Sequence, residues 1–390
     1  MSLFFRCQKC YFPNTKPSLH FDDEKVCFAC KYTDYYEKEI DWDQKLDNFY
    51  ELCKEIKKNK TSDYDCIIPV SGGKDSTYQV HLITKIGQLK PLLVSFEPSY
   101  PTKVGEYNLN NLTNSFNCDL IQLKKSKDTY KKLAKIGFDV VGDHEWPNHV
   151  GIFAWLIQIA ATHNINTLFY GESQGLIGLG RWDKLVNQQL IDREWVEEHC
   201  GMNGLRLTDI LEFDKSIKKE DVIPYSYPDE KLLKEKKINP LFTGNYFKWD
   251  HQKIIDLIEK EHKWKRADKP TDGDYGNFED IDCGFMPMHQ YFKFIKYGYG
   301  RATDHASYEI RHNRMTKELA KNLIINHEGK IPRTHFREFL DFLNIDEEYF
   351  IKIRNKFTNP ILFKKDNNQE LITDNDGELI LEDDWIKSFN

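Results

Sequence analysis

Six consecutive residues, Ser71-Gly-Gly-Lys-Asp-Ser76, bring together two hydroxyls, two amides with no side chain in the way, an ammonium and a carboxylate. That set suits a polyphosphate held through a divalent cation. Gly72 and Gly73 let the backbone turn tightly enough to aim its amides at phosphate oxygens. Ser71 and Ser76 add hydroxyl donors and Lys74 adds positive charge. Asp75 would repel phosphate unless a cation lay between them, so it implies Mg²⁺. The spacing differs from the G-x-x-x-x-G-K-[ST] loop, because Ile68 stands where its first Gly belongs and Asp follows Lys74.

A second set is Cys7-Gln-Lys-Cys10 and Cys27-Phe-Ala-Cys30, separated by sixteen residues. The C-x2-C-x16-C-x2-C pattern is a zinc signal. Four thiolates complete a tetrahedral Zn²⁺ and leave no position for water, so the expected role is structural. Roughly thirty residues could hardly fold alone without such an ion. Further candidates are Glu172, directly after Gly171; Asn148 and His149, at the start of a helical stretch; and Tyr299, Arg301, Thr303 and Asp304, in a glycine-dense segment. Arg301 is suited to a bidentate grip on a diphosphate. His144, Glu145 and His149 lack an evident fourth ligand and are not read as a metal site.

The elements around the six-residue loop follow from apolar spacing. Cys66, Ile67, Ile68 and Val70 form a short apolar run, as in a strand buried on both faces. Val80, Ile83 and Gly87 then recur at helical spacing. The loop therefore falls on a strand-to-helix corner, where unpaired amides and the helix dipole favour anions. Pro91 to Phe96, Leu120 to Leu123 and Asn166 to Tyr170 read as further strands, alternating with helical stretches. The expected fold is α/β, a doubly wound parallel sheet. Its ligands lie beyond the carboxyl ends of the strands, so the turns at Ser71–Ser76, at Phe96–Pro98 and at Gly171–Ser173 should converge.

The expected order along the chain is a zinc ribbon (1–33), a linker helix (34–60), the nucleotide domain (61–180), an insertion or lid (181–245), a helical substrate and partner region (246–360) and an acidic tail with a hairpin (361–390). Hydrophobic residues make up 40% and charged residues 30% of the 390, which excludes disordered and fibrous classes. A net charge of −7 argues against a broad nucleic-acid surface. No apolar run is long enough to span a bilayer, and the N-terminus lacks a signal-peptide pattern, so a cytoplasmic location is expected.

The loop resembles that of the N-type ATP pyrophosphatases, the PP-loop superfamily, which implies cleavage of ATP between its α and β phosphates. It also implies that Phe96 sits beside adenine, and Gly171 and Glu172 near the α phosphate. With the four cysteines, Asn148-His-Val-Gly151, Gly171-Glu172 and Gly298-Tyr-Gly-Arg-Ala-Thr-Asp304 in this order, residues 1–330 resemble the N-acetyl sugar amidotransferases of bacterial surface-glycan synthesis. Ser173 stands where that family often has Asn, and residues 181–240 have no match to it.

The resemblance implies an ATP-dependent enzyme that turns an acetamido group on a nucleotide-linked N-acetyl sugar into an acetamidino group. Cofactors would be ATP, Mg²⁺ and structural Zn²⁺. Lys74, Asp75, Glu172 and His149 would serve catalysis, and Asn148, Tyr299, Arg301, Thr303 and Asp304 would bind substrate. No glutaminase motif is present, so ammonia would come from a separate glutamine amidotransferase subunit, with a cyclase-like partner. Two other readings remain: a tRNA-thiolating PP-loop enzyme, and a non-catalytic zinc-ribbon scaffold that binds nucleotide.

Overall fold

The computed structural model describes residues 3–171 and 202–390. Five strands form one sheet: β1 (Cys66–Pro69), β2 (Pro91–Phe96), β3 (Asp119–Leu123), β4 (Thr167–Tyr170) and β5 (Asn239–Phe242), in the order β3-β2-β1-β4-β5. Every neighbouring pair is parallel. Side chains alternate between the faces, as the strand period requires. Cys66, Ile68, Leu93 and Phe169 enter one core, and Ile67, Leu92, Val94, Leu168 and Tyr170 enter the other.

The first face is covered by α2 (Trp42–Asn59), α3 (Lys74–His81) and α4 (Lys103–Phe116), which supply Phe49, Val80, Leu109 and Leu112 to its core, while α1 (Phe28–Lys38) packs through Tyr36 on Trp42 of α2. The second is covered by α5 (Lys127–Val141) and α6 (Trp146–His163), through Leu133, Phe138, Ile157 and Ala160. This is the doubly wound arrangement. Each fully buried Leu, Ile or Phe stabilises it by about 1.5–3 kcal/mol. Strand order reverses around β1, which lies between β2 and β4, so the crevice for ligands opens at the carboxyl ends of β1 and β4.

After β4 the described chain continues through α7 (Leu207–Phe213), α8 (Glu230–Glu235) and β5 to α9 (His251–His262). β5 falls inside the stretch expected as an insertion. Pro240 is tolerated there because β5 has only one neighbour. The stretch expected as one linker helix forms α2 and the end of α1, broken at Glu39–Asp41, where the Asp41 side chain caps α2.

Six helices complete the chain: α10 (Met286–Tyr297), α11 (Arg301–Arg311), α12 (Lys317–His327), α13 (Phe336–Leu343), α14 (Glu347–Phe357) and α15 (Asp383–Lys387). Phe138 of α5 joins Phe292, Phe339 and Phe350 at centroid distances of 5.0, 5.7 and 6.3 Å, which seats this region on the sheet domain. The acidic tail turns through Asp374–Gly377, with Gly377 at φ +79° and a bridge between Thr373 and Leu379. Its end is not solvated: Trp385 and Phe389 are buried. The Arg6 guanidinium lies 4.1 Å from the Phe389 ring, and Tyr11 donates to the Phe389 carbonyl at 3.1 Å, so the two termini pack together. No helix among the described residues is long and apolar enough to cross a membrane.

Candidate active site

Ser71–Ser76 leaves β1 and opens α3, whose first residue is Lys74. Gly72 has φ +89°, and a Cβ there would fall 2.7 Å from the Leu109 amide nitrogen, so no other residue fits without displacing α4. Trp264 Nε1 donates to the Gly72 carbonyl at 2.9 Å from 192 residues away. Ser76 and Thr77 both donate to the Gly73 carbonyl, at 3.1 and 2.9 Å. The turn is thereby fixed from outside, and within it the Gly73 amide donates to Ser71 Oγ at 3.3 Å.

Lys74 is buried, and its ammonium lies 2.5 Å from Asp75 Oδ2 and 2.6 Å from Glu279 Oε1. Burial opposes the charge, but Asp75 and then Glu279 outweigh it and push the Lys74 pKa up, so the amine is protonated. The other oxygen of Asp75 accepts from Trp249 Nε1 at 2.8 Å. Gly171 stands beside the same group, with the Trp249 ring and Gln79 Oε1 within 3.7–3.8 Å of where a Cβ would be. The turns after β1 and β4 therefore meet as their sequence suggests.

Beyond Glu279 the polar surface continues. Asp280 binds Arg301 through two hydrogen bonds of 2.9 Å. Burial raises the Asp280 carboxyl, and Arg301 more than offsets this, holding it below the usual range. Asp282 is pushed up to about 6 by burial and by Asp280, while a hydrogen bond from Ser71 acts the other way. Asp304 pairs with Lys293 at 2.6 Å.

A second polar group gathers at the start of α6. Glu145 is buried, near Ser99, Asn148 and, at 3.2 Å, His144. Asn148 Oδ1 accepts from Lys125 at 2.7 Å. Burial lowers the Lys125 amine to about 7, with Glu145 acting against the shift. His149 Nδ1 lies 3.5 Å from Asp143, whose other oxygen meets His289 Nδ1 at 2.9 Å.

The remaining candidates fall elsewhere. Phe96 is buried at the end of β2 against Gly151, where a Cβ would lie 2.2 Å from its ring, and against Tyr225. Its immediate role is to seat α6 on the sheet. Tyr299 is buried, its hydroxyl accepting from Lys16 at 3.2 Å. Thr303 is fully buried, and both its amide and its hydroxyl are bound to Glu328, which places it in the cap of α11. Glu172 and the Gly-rich stretch 175–180 lie outside the described residues. Glu279, Trp249, Trp264 and His289 are site neighbours that the sequence reading missed. The tryptophans flanking α9 were the one available signal.

At the N-terminus Cys7, Cys10, Cys27 and Cys30 are all buried, with Sγ–Sγ separations of 3.5 Å (10–27), 3.7 Å (7–30) and 3.7 Å (27–30). A tetrahedral ion with bonds of about 2.3 Å sets its sulfurs about 3.8 Å apart, so a single zinc-like ion fits this spacing. Amides of Lys9 and Cys27 point at Cys7 Sγ, at 3.4 and 3.3 Å, as they would to a thiolate. By ligand type alone, four cysteines also suit an iron–sulfur cluster.

Strand order and the loop at the switch point define a doubly wound parallel α/β protein with an anion-suited strand-to-helix corner at its crevice. Residues 272–375 match the family described as LPS biosynthesis protein WbpG-like, C-terminal domain. The likeness to surface-glycan enzymes drawn from the motifs is thus met over that segment, which contains Glu279, Asp280, His289 and Arg301.

An uncharacterised protein of Methanocaldococcus jannaschii is 29% identical over 138 residues, 34% of this chain. The chain spans about half, 47%, of that relative's length. Similar solved structures include an NH3-dependent NAD synthetase from Campylobacter jejuni (13% identity, 57% of this chain and 94% of that one, TM-score 0.31). Others are an NMN synthetase from Francisella tularensis (14%, 60% and 99%, 0.30) and the U34-tRNA thiolase NcsA from Methanococcus maripaludis with its [4Fe-4S] cluster (11%, 81% and 88%, 0.31). At these scores the likeness carries no weight, and the fold class rests on the strand order itself.

Proposed function

We propose that this chain is an ATP-dependent amidotransferase of surface-glycan synthesis, acting in the cytoplasm on the acetamido group of a nucleotide-linked N-acetyl sugar. An amide oxygen is a poor leaving group. In the first step that oxygen attacks the α phosphorus of ATP and pyrophosphate departs. Ammonia then adds to the imidate carbon and loses a proton, and AMP leaves with the oxygen, giving an acetamidino group.

The amides of Gly72 and Gly73 and the Lys74 ammonium would stabilise the departing pyrophosphate. Asp75 and Glu279 would hold Mg²⁺, which neutralises charge developing on the phosphates. Lys74, now shared by those two carboxylates, would turn to the phosphates. Asn148 and Arg301 would meet the sugar nucleotide, and ammonia would come from a separate glutamine amidotransferase subunit with a cyclase-like partner.

The observation that carries this reading is the contact of Glu279 with Lys74, because it brings a segment similar to the WbpG-like domain onto the phosphate loop. A tRNA-thiolating role would call for paired thiols at the loop. Among the described residues Cys53, of α2, and Cys66, of β1, are instead buried in the core between helix and sheet. The test is exchange of labelled pyrophosphate into ATP. Exchange that depends on an acetamido sugar nucleotide is expected; exchange driven by tRNA, or none with any acceptor, would overturn the reading.

A further inference from the structure

We propose that Asp143, His149 and His289 form a site for one divalent transition-metal ion of the zinc class, separate from the four cysteines. The three residues come from the turn before α6, the first turn of α6 and the first turn of α10, so only the folded chain assembles them. One ligand atom from each lies within 4.8 Å of the others. An ion bonded at about 2.1 Å to two imidazole nitrogens and an oxygen sets neighbouring donors about 3.0–3.4 Å apart, for octahedral and tetrahedral angles respectively. His289 Nδ1 lies 2.9 Å from one Asp143 oxygen and His149 Nδ1 lies 3.5 Å from the other, so both imidazoles face one carboxylate at close to that spacing.

A hydrogen-bonded His–Asp–His catch explains less. His289 Nδ1 is bonded to Asp143, but His149 Nδ1 is buried and has no hydrogen-bond partner among the described residues. An ion shared by all three would satisfy that orphaned nitrogen, which is costly to leave unpaired. The rings cross at 77°, with centroids 5.2 Å apart, so both can turn an edge to one point. Two imidazoles and one carboxylate select a borderline ion such as Zn²⁺ or Fe²⁺ over Mg²⁺ or Ca²⁺. Asp143 is buried, while each histidine side chain keeps about a fifth of its surface exposed. Three protein ligands leave coordination positions open on that side for water or for an oxygen of a bound acceptor. The ion's presence does not depend on whether the reaction is amidation.

The test uses the full-length chain, desalted after loading with Zn²⁺ or Co²⁺, with ions per chain counted by mass spectrometry. Wild type is expected to hold one ion more than His149→Ala and one more than His289→Ala. The Co²⁺–thiolate charge-transfer bands of the four-cysteine site should persist in all three, while the nitrogen and oxygen ligand-field band is lost from both variants. Thermal unfolding of the metal-free proteins controls for folding. Equal ion content in wild type and either variant would overturn the proposal. So would a variant that loses only metal-independent stability, which would mean a catch.

Discussion

Glu279 and Asp75 share the Lys74 ammonium, at 2.6 and 2.5 Å, in a setting that leaves Lys74 almost no surface. Removing the cation leaves two carboxylates facing each other in low dielectric, a loss of about 3–5 kcal/mol. Lys74→Met is therefore expected to lower the urea midpoint sharply and to cut AMP formation by about 10²-fold or more. Glu279→Gln should fold and keep a melting temperature near wild type, yet need more Mg²⁺ for half-maximal activity. An unchanged Mg²⁺ requirement would remove Glu279 from the site.

Gly72 and Gly73 should respond differently to the same change. Gly72→Ala forces a side chain onto φ +89° and against the backbone of α4, and should cost about 1–3 kcal/mol. At Gly73 an added Cβ meets only Ser71 Oγ, at 3.3 Å, so Gly73→Ala should fold with nearly unchanged stability while weakening nucleotide binding. Denaturant midpoints and nucleotide titrations separate the two. Equal stability loss would contradict the geometry.

Glu328 makes stability depend on pH. Burial pushes its carboxyl up to about 7 from an ordinary 4.5, although Thr303, Arg6 and Gly300 pull the other way. Between those two values the folded chain keeps a proton that the unfolded chain has released, so this group's contribution falls as pH rises from about 4.5 to about 7. Glu328→Gln should flatten that slope. Urea midpoints at pH 5 and pH 7.5 test it, and an identical slope in wild type and variant would refute it.

The sheet and the loop were legible because each is a local pattern. Cys66 to Val70 is apolar on both faces, and Gly72-Gly73-Lys74-Asp75 follows it directly. β5 was not, since Asn-Pro-Leu-Phe is too short to show a period and its Pro240 argues against a strand until it is seen at an edge. Glu279 and His289 are single polar residues in segments with no repeat, and their partners are far away in sequence. Arg301 is paired with Asp280, 21 residues upstream, a contact that no local pattern signals.

The tail is expected to hold the four-cysteine module. Trp385 Nε1 donates to the Gly298 carbonyl at 2.8 Å, and its ring lies 4.9 Å from the Arg6 guanidinium. Trp385→Ala should cost about 3–5 kcal/mol and raise hydrogen exchange in residues 3–30 as well as in the tail. Exchange raised only beyond residue 360 would show that the termini are independent. Stripping the four-cysteine ion with a chelator should act in reverse, loosening Phe389 and its neighbours.

The most direct measurement is the product itself. Incubated with ATP, Mg²⁺, ammonium and a panel of nucleotide-linked N-acetyl sugars, the chain should replace one oxygen by NH in one of them, seen by mass spectrometry, with one AMP formed per product. Formation of ADP in place of AMP, or AMP formed while every sugar keeps its oxygen, would contradict the account.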